Sequence, residues 1–244
     1  MIVILTGAGI SKESGIDTFR DAGGLWEQER IEDVATPDGF RRNPDKVLDF
    51  YNKRRRDLLS GAVQPNAAHK ALARLEAERP GDLLLVTQNV DDLHERAGSM
   101  NLIHMHGELL KARCSKCTRV LEARTDITRK DACPGCKAVG SLRPHVVWFG
   151  EMPLGMLEID IAIQNCTTFA SIGTSGTVYP AAGFSRSARD CGAECVELNM
   201  ERTAGPEVFH KGWYGPATRI VPEWVDRMLK DLPPIKKSHR LRSL

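Results

Sequence analysis

Length, composition and charge exclude several classes of protein. The 244 residues can bury one hydrophobic core and carry a small additional module. Lys and Arg number 34 and Asp and Glu 32, and this near balance, a net charge of +2, argues against a dedicated nucleic-acid binder. The longest apolar runs have four or five residues, too few to cross a membrane, and the first segment lacks the features of a signal peptide. Seven cysteines, four of them in two Cys-x-x-Cys pairs, favour metal ligation in a reducing compartment, so we expect a cytoplasmic protein.

The first twenty residues predict a nucleotide site. The apolar run Ile2–Leu5 is typical of a buried parallel strand, and Gly7 and Gly9 follow it, where they allow a tight turn and close approach to a pyrophosphate. A helix that begins near Ser11 would point its free N–H groups at that anion. Lys12 occupies the third glycine position of the dehydrogenase fingerprint, and no second strand ends in an acidic residue about twenty positions later. The pattern indicates a dinucleotide held under a loop rather than laid flat for hydride transfer; a plain tight turn is the alternative.

The next segments predict a helix–strand alternation. A helix should begin at Asn43 and an amphipathic one should cover 67–79, before the buried strand Leu83–Val86. A right-handed crossover then places Gln88, Asn89 and Asp91 at the same sheet edge as the glycines. Two amides and an acid suit a carboxamide and ribose hydroxyls, whereas the alternative is a capped helix start.

Residues 102–107 predict a short strand that carries two histidines. Alternation along a strand would put His104 and His106 on one face. His106, beside the flexible Gly107, suits a general base near neutral pH, although a lone histidine is more often structural.

Two Cys-x-x-Cys pairs separated by fifteen residues predict a zinc ribbon. Four thiolates fill a tetrahedral shell and leave no open position, so the metal should be structural. The proposed ligands are Cys114, Cys117, Cys133 and Cys136.

The remaining third of the chain predicts more sheet. Residues 146–151 alternate as in a strand whose edge could receive a peptide. A strand over 168–172 ends in the glycine-rich 173–176, and another over 195–198 ends at Asn199. A final helix is expected from Pro222 to Leu232, followed by a basic tail.

With these motifs in order, the chain resembles the sirtuins, which are NAD-dependent protein-lysine deacylases, and most of all their bacterial members. The resemblance covers nearly the whole chain and depends on GAGIS at 7–11, TFR at 18–20, TQNVDDLH at 87–94, HG at 106–107, the Cys pairs, VVWFGE at 146–151, GTS at 173–175 and NME at 199–201. Asp17 stands where the family often has proline, and the chain begins directly at the first strand.

The resemblance implies an α/β fold in which a Rossmann-like domain carries a helical insertion and a small zinc module. The expected boundaries are 1–24, 61–108 and 144–232 for the Rossmann-like part, 25–60 for the insertion, 109–143 for the zinc module and 233–244 for the tail. NAD would be the co-substrate and an acylated protein lysine the substrate. The products would be nicotinamide, which should also inhibit, O-acyl-ADP-ribose and free lysine.

The resemblance also implies roles. His106 would be the general base on a ribose hydroxyl, while Asn89 and Asp91 would position the nicotinamide ribose and carboxamide. The implied cofactor-binding residues are Gly7, Ala8, Gly9, Ile10, Thr18, Phe19, Arg20, Trp26, Gln88, Asn89, Val90, Asp91, Gly173, Thr174, Ser175, Asn199, Met200, Glu201 and Ala217. The implied substrate contacts are Tyr51, Arg54, Val146, Trp148, Phe149, Gly150 and Glu151.

Tyr51 and Arg54 suggest which acyl groups are removed. They are three residues apart on a predicted helix and therefore share a face. The pair matches the Tyr-x-x-Arg signature of sirtuins that accept succinyl- and malonyl-lysine, and arginine can form two charge-assisted hydrogen bonds with a carboxylate. The alternative is that Arg54 belongs to a solvated face with Lys53, Arg55 and Arg56.

Three other functions remain open at this point. A dehydrogenase is disfavoured by Lys12 and by the missing acidic residue. An ADP-ribosyltransferase would use the same sugar chemistry. A zinc-stabilised binding module without catalysis would leave His106, Gln88, Asn89 and Asp91 unexplained as a set.

Overall fold

The computed structural model describes residues 1–16, 29–203 and 208–231. The strands of this part are β1 (Ile2–Thr6), β2 (Leu83–Thr87), β3 (Leu102–His104), β4 (Gly107–Cys114), β5 (Val120–Glu122), β6 (Leu142–Val146), β7 (Thr168–Ile172), β8 (Glu194–Asn199) and β9 (Lys211–Tyr214). Its α-helices are α1 (Ile31–Val34), α2 (Pro37–Arg42), α3 (Pro44–Leu59), α4 (Ala67–Glu78), α5 (Leu93–Ala97), α6 (Met156–Asn165), α7 (Phe184–Asp190) and α8 (Ala217–Asp231). Within these ranges, no helix combines the length and the apolar character needed to cross a bilayer.

The central sheet is parallel and has the strand order β3-β2-β1-β7-β8-β9. The chain builds outwards from β1 to β3 and then returns to build outwards from β7 on the other side. The strand order therefore reverses between β1 and β7, and their carboxyl ends lie side by side. In open α/β sheets, ligands bind at such a reversal point, so the topology predicts the site at this edge.

Both faces of the sheet are covered by helices, which explains why β1, β2 and β7 are uninterrupted buried strands. On one face, Ile2 and Ile4 belong to a cluster with Leu72 of α4 and Trp224 of α8. On the other face, Val3 and Leu5 belong to a cluster that includes residues of α6 and α7. The α/β fold with a parallel sheet is thus confirmed.

A second sheet is antiparallel, with the order β5-β4-β6, and it packs on α3. Leu48 of α3 clusters with Ala112 and Leu142 of this sheet and with Cys114 and Cys133. Further along α3, Val47, Tyr51 and Leu58 cluster with Leu109, Leu110, Val146 and Trp148. The cysteine pairs and the helical segment consequently share one core.

Two expectations at the ligand edge were wrong in local structure. No α-helix begins near Ser11; the described chain there forms two 3₁₀ turns, at Ala8–Ile10 and Lys12–Ser14. His104 and His106 do not share a strand, because β3 ends at His104. The chain then bends at Gly107, whose φ is +79°, and β4 begins. His106 therefore lies in a turn between two strands.

Two boundaries also differ. The strand expected over 146–151 stops at Val146, because Gly150 has a φ of +89° and Glu151 N donates to Trp148 O in a turn. The last helix begins at Ala217, five residues before Pro222, which lies inside it. Proline favours the first turn of a helix, and this preference placed the predicted start too late.

Candidate active site

A cavity of about 710 Å³ opens at the carboxyl edge of β1, β2, β7 and β8. Of the residues predicted to bind cofactor or substrate, its lining includes Gly7, Ala8, Gly9, Tyr51, Gln88, Asn89, Val90, His106, Val146, Trp148, Phe149, Gly150, Glu151, Gly173, Thr174, Ser175, Asn199, Met200, Glu201 and Ala217. Six of the sequence motifs, namely those at 7–11, 87–94, 106–107, 146–151, 173–175 and 199–201, thus contribute residues to one cavity.

The floor of the cavity is formed where two glycine-containing turns pack backbone against backbone. Gly7 N donates to Ile172 O, and Gly9 N donates to Gly173 O at 2.8 Å. A Cβ added to Gly9 would lie 2.8 Å from both the Cα and the O of Gly173, and one added to Gly7 would lie 2.8 Å from Gly173 O. Side chains at these positions would force the two turns apart, so the glycines are required for this close approach.

Ser11 is the centre of a buried hydrogen-bond network behind the floor. Its hydroxyl donates to Asp91 Oδ2 at 3.0 Å and accepts from Asn89 Nδ2 at 3.1 Å. His69 Nδ1 accepts from Asn66 N, so His69 Nε2 carries the hydrogen that faces Ser11 Oγ at 3.4 Å. The network fixes Asn89 from behind.

Asn89 presents a single kind of atom to the cavity. Its Nδ2 group donates both to Gly7 O and to Ser11 Oγ, each at 3.1 Å. Because the amide hydrogens are used, Oδ1 is the atom left for a ligand, and it can accept from a hydroxyl or an N–H group.

Asp91 lies behind the cavity rather than in its lining. Besides accepting from Ser11, it accepts from Leu93 N through Oδ1 at 3.1 Å, as a capping residue does. Burial raises the pKa of Asp91 to about 6. The capping alternative is therefore present together with a link to Asn89, and Asp91 positions Asn89 through Ser11.

His106 reaches the cavity from the turn between β3 and β4. Its Nδ1 lies 3.1 Å from Gln88 O, an acceptor only, so the ring hydrogen is on Nδ1. The lone pair is then on Nε2, the nitrogen that makes no bond to the main chain. Burial lowers the pKa of His106, which keeps the ring neutral at physiological pH. A neutral, oriented imidazole in a cavity has the properties of a general base.

His104 has a different environment. Its Nδ1 contacts Asn89 O at 3.1 Å and its Nε2 contacts Glu95 Oε1 at 2.7 Å. Burial alone would lower the pKa of His104. The hydrogen bond with Glu95 and the negative charge of the Glu95 carboxylate outweigh burial and raise it. Of the two neighbouring histidines, only His106 belongs to the cavity.

Polar side chains also connect the strand ends on the far side of the cavity. Gln88 Nε2 donates to Thr174 Oγ1 at 3.0 Å, and Asn199 Nδ2 donates to Thr174 O at 2.9 Å. These contacts tie β2 and β8 to the loop after β7. Met200 and Glu201 follow Asn199 and are exposed at the rim.

Tyr51 and Trp148 form another part of the cavity wall. Trp148 Nε1 donates to Tyr51 Oη at 3.0 Å, and burial raises the pKa of the Tyr51 hydroxyl to about 12. Arg54, one turn later on α3, is not among the lining residues. Its Nη1 donates to Phe50 O, and its guanidinium lies 3.3 Å from the centre of the Phe50 ring.

The other predicted residues lie elsewhere. Ile10 is fully buried in the core beneath the floor. Thr18, Phe19, Arg20 and Trp26, and the basic tail, lie outside the described residues.

Several lining residues were not predicted from the sequence. The clearest group among them follows the glycine-rich loop after β7. The sequence could have indicated this group, because a loop at the ligand edge of a parallel sheet is expected to contact the ligand. The unpredicted lining residues include Lys12, Glu13, Ala35, Pro153, Val178, Tyr179, Pro180, Arg202, Thr203 and Gly215.

The four predicted zinc ligands converge. Cys114 Sγ lies 3.6 Å from Cys136 Sγ, and Cys117 Sγ lies 3.7 Å from Cys133 Sγ; all four sulfur atoms lie within 4.8 Å of one another. A tetrahedral site with Zn–S bonds of about 2.3 Å requires sulfurs roughly 3.8 Å apart. The donor set and its spacing fit a structural zinc ion.

The two cysteine knuckles have the same backbone shape. Thr118 N donates to Cys114 O and Lys137 N donates to Cys133 O. Thr118 and Lys137 have φ values of 60° and 63°, which are unfavourable for residues with a side chain. A metal held by both knuckles would offset that cost.

Comparisons with known proteins agree with this geometry. A family model described as the Sir2 family matches residues 7–180. The NAD-dependent protein deacylase of Salmonella typhimurium is 58% identical over 231 residues, which cover 95% of this chain and 85% of that protein. The NAD-dependent protein deacylase of Vibrio cholerae is 57% identical over 228 residues, which cover 93% of each.

Solved structures are similar over almost the whole chain. A Sir2 homologue in complex with NAD has a TM-score of 0.83 at 39% identity and covers 94% of this chain and 89% of its own. A Sir2 structure with a deacetylated peptide and 3′-O-acetyl ADP-ribose has a TM-score of 0.80 at 28% identity, covering 95% and 93%.

Proposed function

We propose that this chain, which belongs to the Sir2 family and is an NAD-dependent protein deacylase, converts acyl-lysine, NAD and one water molecule to lysine, nicotinamide and O-acyl-ADP-ribose. The observation that carries this proposal is the neutral, half-buried His106 in the same cavity as Asn89 and the glycine floor. The names of the bacterial relatives support the reaction, and the acetyl ADP-ribose in a structural neighbour supports its product.

The described residues have separate tasks in this reaction. When bound, NAD supplies the ribose carbon that accepts the acyl oxygen, with nicotinamide as the leaving group. The glycine floor lets the main chain approach the pyrophosphate, and Asn89 Oδ1 accepts from a ribose hydroxyl. His106 Nε2 then takes the proton of a ribose hydroxyl. An amide oxygen is a weak nucleophile, so close positioning and exclusion of water are the main contribution of the cavity walls.

The proposal extends to acyl chains that end in a carboxylate, namely succinyl and malonyl, alongside acetyl. Tyr51 lines the cavity, and its hydroxyl stays protonated at any physiological pH. Arg54 would have to leave the Phe50 ring to reach a carboxylate there. A cation over an aromatic ring gains about 0.5–1 kcal/mol at a partly exposed site, whereas each charged hydrogen bond gains about 1.5–3 kcal/mol. Arg54 would also give up its hydrogen bond to Phe50 O, so it is the two hydrogen bonds of a bidentate carboxylate contact that would offset both losses.

A pair of arginine variants tests the acyl range. Arg54→Met should lose desuccinylation by about 2–3 kcal/mol in transition-state stabilisation, and deacetylation much less. Arg56→Met is the matched control, because Arg56 is exposed and pairs with Asp126 at 2.5 Å. Equal loss of both activities in the Arg54 variant would mean that Arg54 supports the fold or the cofactor instead.

A peptide panel tests the reaction class. The protein is incubated with NAD and acetyl-, succinyl- or malonyl-lysine peptides, and nicotinamide and deacylated peptide are measured. Both should appear together, and added nicotinamide should slow them. Absorbance from reduced cofactor would indicate a dehydrogenase, protein-bound ADP-ribose with the acyl group intact would indicate an ADP-ribosyltransferase, and no turnover would indicate a binding module.

A further inference from the structure

The hydrogen bond between Trp148 and Tyr51 fixes the direction of one hydroxyl in the cavity wall. Trp148 Nε1–H can only donate, so Tyr51 Oη must accept at this contact. The phenolic hydrogen is then directed away from the indole. Within the described ranges, that hydrogen meets no acceptor, and both residues line the cavity.

We propose that Trp148 is a specificity-determining positioning residue, which aims the Tyr51 hydroxyl into the acyl-lysine cavity as a donor to acyl groups that end in a carboxylate. The inference rests on the proposed function and deepens it, because it assigns part of the acyl preference to a residue that need not contact the acyl group. A carboxylate accepts such a donor strongly, whereas an acetyl methyl group accepts nothing.

Trp148 can set this direction because it is itself held on several sides. Its main-chain N donates to Glu151 Oε2 at 2.9 Å, and it is 2% exposed. Arg143 lies with its guanidinium carbon 3.3 Å from the centre of the indole. Phe40 also packs on it, with ring centres 5.2 Å apart.

Arg143 is fixed in turn by a bidentate contact. Its Nη1 and Nη2 atoms donate to the two carboxylate oxygens of Glu151 at 2.7 and 2.9 Å, and Arg113 Nη2 donates to the same carboxylate at 2.6 Å. Arg113 and Arg143 lie on the paired strands β4 and β6, next to Cys114 and Leu142. The second sheet therefore supports the wall of the cavity through Glu151, and Glu151, predicted as a peptide contact, anchors Trp148.

Packing alone does not account for the tryptophan. A phenylalanine would supply a flat ring to Arg143 and Phe40, but it has no N–H group. An indole N–H buried without an acceptor costs free energy, and here Tyr51 Oη is that acceptor. The pair thus satisfies the indole and orients the hydroxyl with one contact.

Steady-state kinetics with succinyl- and acetyl-lysine peptides test the proposal. Trp148→Phe keeps a ring and removes the donor, and Tyr51→Phe removes the hydroxyl. Each should raise the KM for the succinyl peptide by roughly tenfold, as expected when a hydrogen bond to a charged group is weakened, and should raise it at least fivefold more than the KM for the acetyl peptide. Phe40→Leu is the control for disturbed packing, since it loosens the same indole but leaves its N–H group. Phe40→Leu should change the KM for the succinyl and the acetyl peptide by the same factor.

The double variant Trp148→Phe/Tyr51→Phe distinguishes positioning from general support. If Trp148 acts through Tyr51, adding Trp148→Phe to Tyr51→Phe should have no further effect on the succinyl-to-acetyl ratio. Independent, additive effects, equal losses on both substrates, or an unchanged ratio in the Trp148 variant would each overturn the inference. If the wild-type protein deacetylates but does not desuccinylate, the proposed acyl range fails first and this inference fails with it. If the wild-type protein desuccinylates but the Trp148→Phe variant keeps the wild-type succinyl-to-acetyl ratio, only this inference is refuted and the proposed function stands.

Discussion

Replacement of His106 is the perturbation whose result follows most directly from the site geometry. His106→Ala removes the Nε2 lone pair, and the Gln88 carbonyl that orients the ring belongs to the main chain and stays in place. General-base assistance is typically worth roughly 100- to 10,000-fold in rate, or about 3–5 kcal/mol. We expect a loss of kcat in that range, measured as nicotinamide released from an acetyl-lysine peptide, with zinc content and melting temperature close to wild type. His210→Gln is the matched control, since His210 is exposed and is not among the lining residues.

The pH profile gives a second, independent measure of the same residue. Because burial lowers the pKa of His106, the base stays unprotonated to a lower pH than an ordinary histidine would. The kcat/KM should therefore be level through neutral pH and should fall only on the acid side of about 6.5. Near-normal turnover in His106→Ala, or an acid limb of kcat/KM that persists in that variant, would refute the assignment of His106 as the base.

Three further predictions concern stability and binding. Cys133→Ser should release zinc and lower the melting temperature, because the knuckles lose a ligand of a filled tetrahedral shell; a metal-free protein with unchanged melting would contradict a structural role. Gly9→Ala should weaken NAD binding in calorimetry and destabilise the fold by about 1–3 kcal/mol, because its Cβ would lie 2.8 Å from the Gly173 backbone; normal binding would show that the two turns can separate freely. Burial lowers the pKa of His69 to about 4, so the unfolded chain binds the proton first, and His69 should contribute a fall in stability of roughly 3 kcal/mol at most as pH drops from about 6.5 to about 4, in addition to the fall from His94, whose pKa burial also lowers. His69→Gln should flatten this part of the unfolding curve, and an unchanged slope would refute the assignment.

The sheet and the convergence of the motifs could be predicted because they depend on strong local patterns. The apolar runs of β1, β2 and β7 have the composition of doubly covered parallel strands, and the residues that follow such strands must meet at one edge. The cysteine spacing likewise predicted the four-sulfur cluster now observed.

Other features depend on tertiary contacts that no short pattern contains. The 3₁₀ turn at Ala8–Ile10 is held by the second glycine loop, 164 residues later, through the Gly9 N–Gly173 O hydrogen bond. Ser11 is held in position by hydrogen bonds with Asp91 and Asn89, which are 80 and 78 residues away in the sequence. The predicted strand gives way to a turn at Gly150, where Arg113 and Arg143 hold the carboxylate of Glu151. The Glu151 side chain therefore anchors the cavity wall, and this segment does not continue as an edge strand.

The measurement that tests the account most directly is the balance of products from one turnover of wild-type protein with NAD and a succinyl- or acetyl-lysine peptide. Mass spectrometry should find nicotinamide, deacylated peptide and O-acyl-ADP-ribose in equal amounts, with the acyl group transferred to the sugar. Free carboxylic acid formed without consumption of NAD, or NAD consumed while the peptide keeps its acyl group, would contradict a deacylase that works through His106 and the glycine-floored cavity.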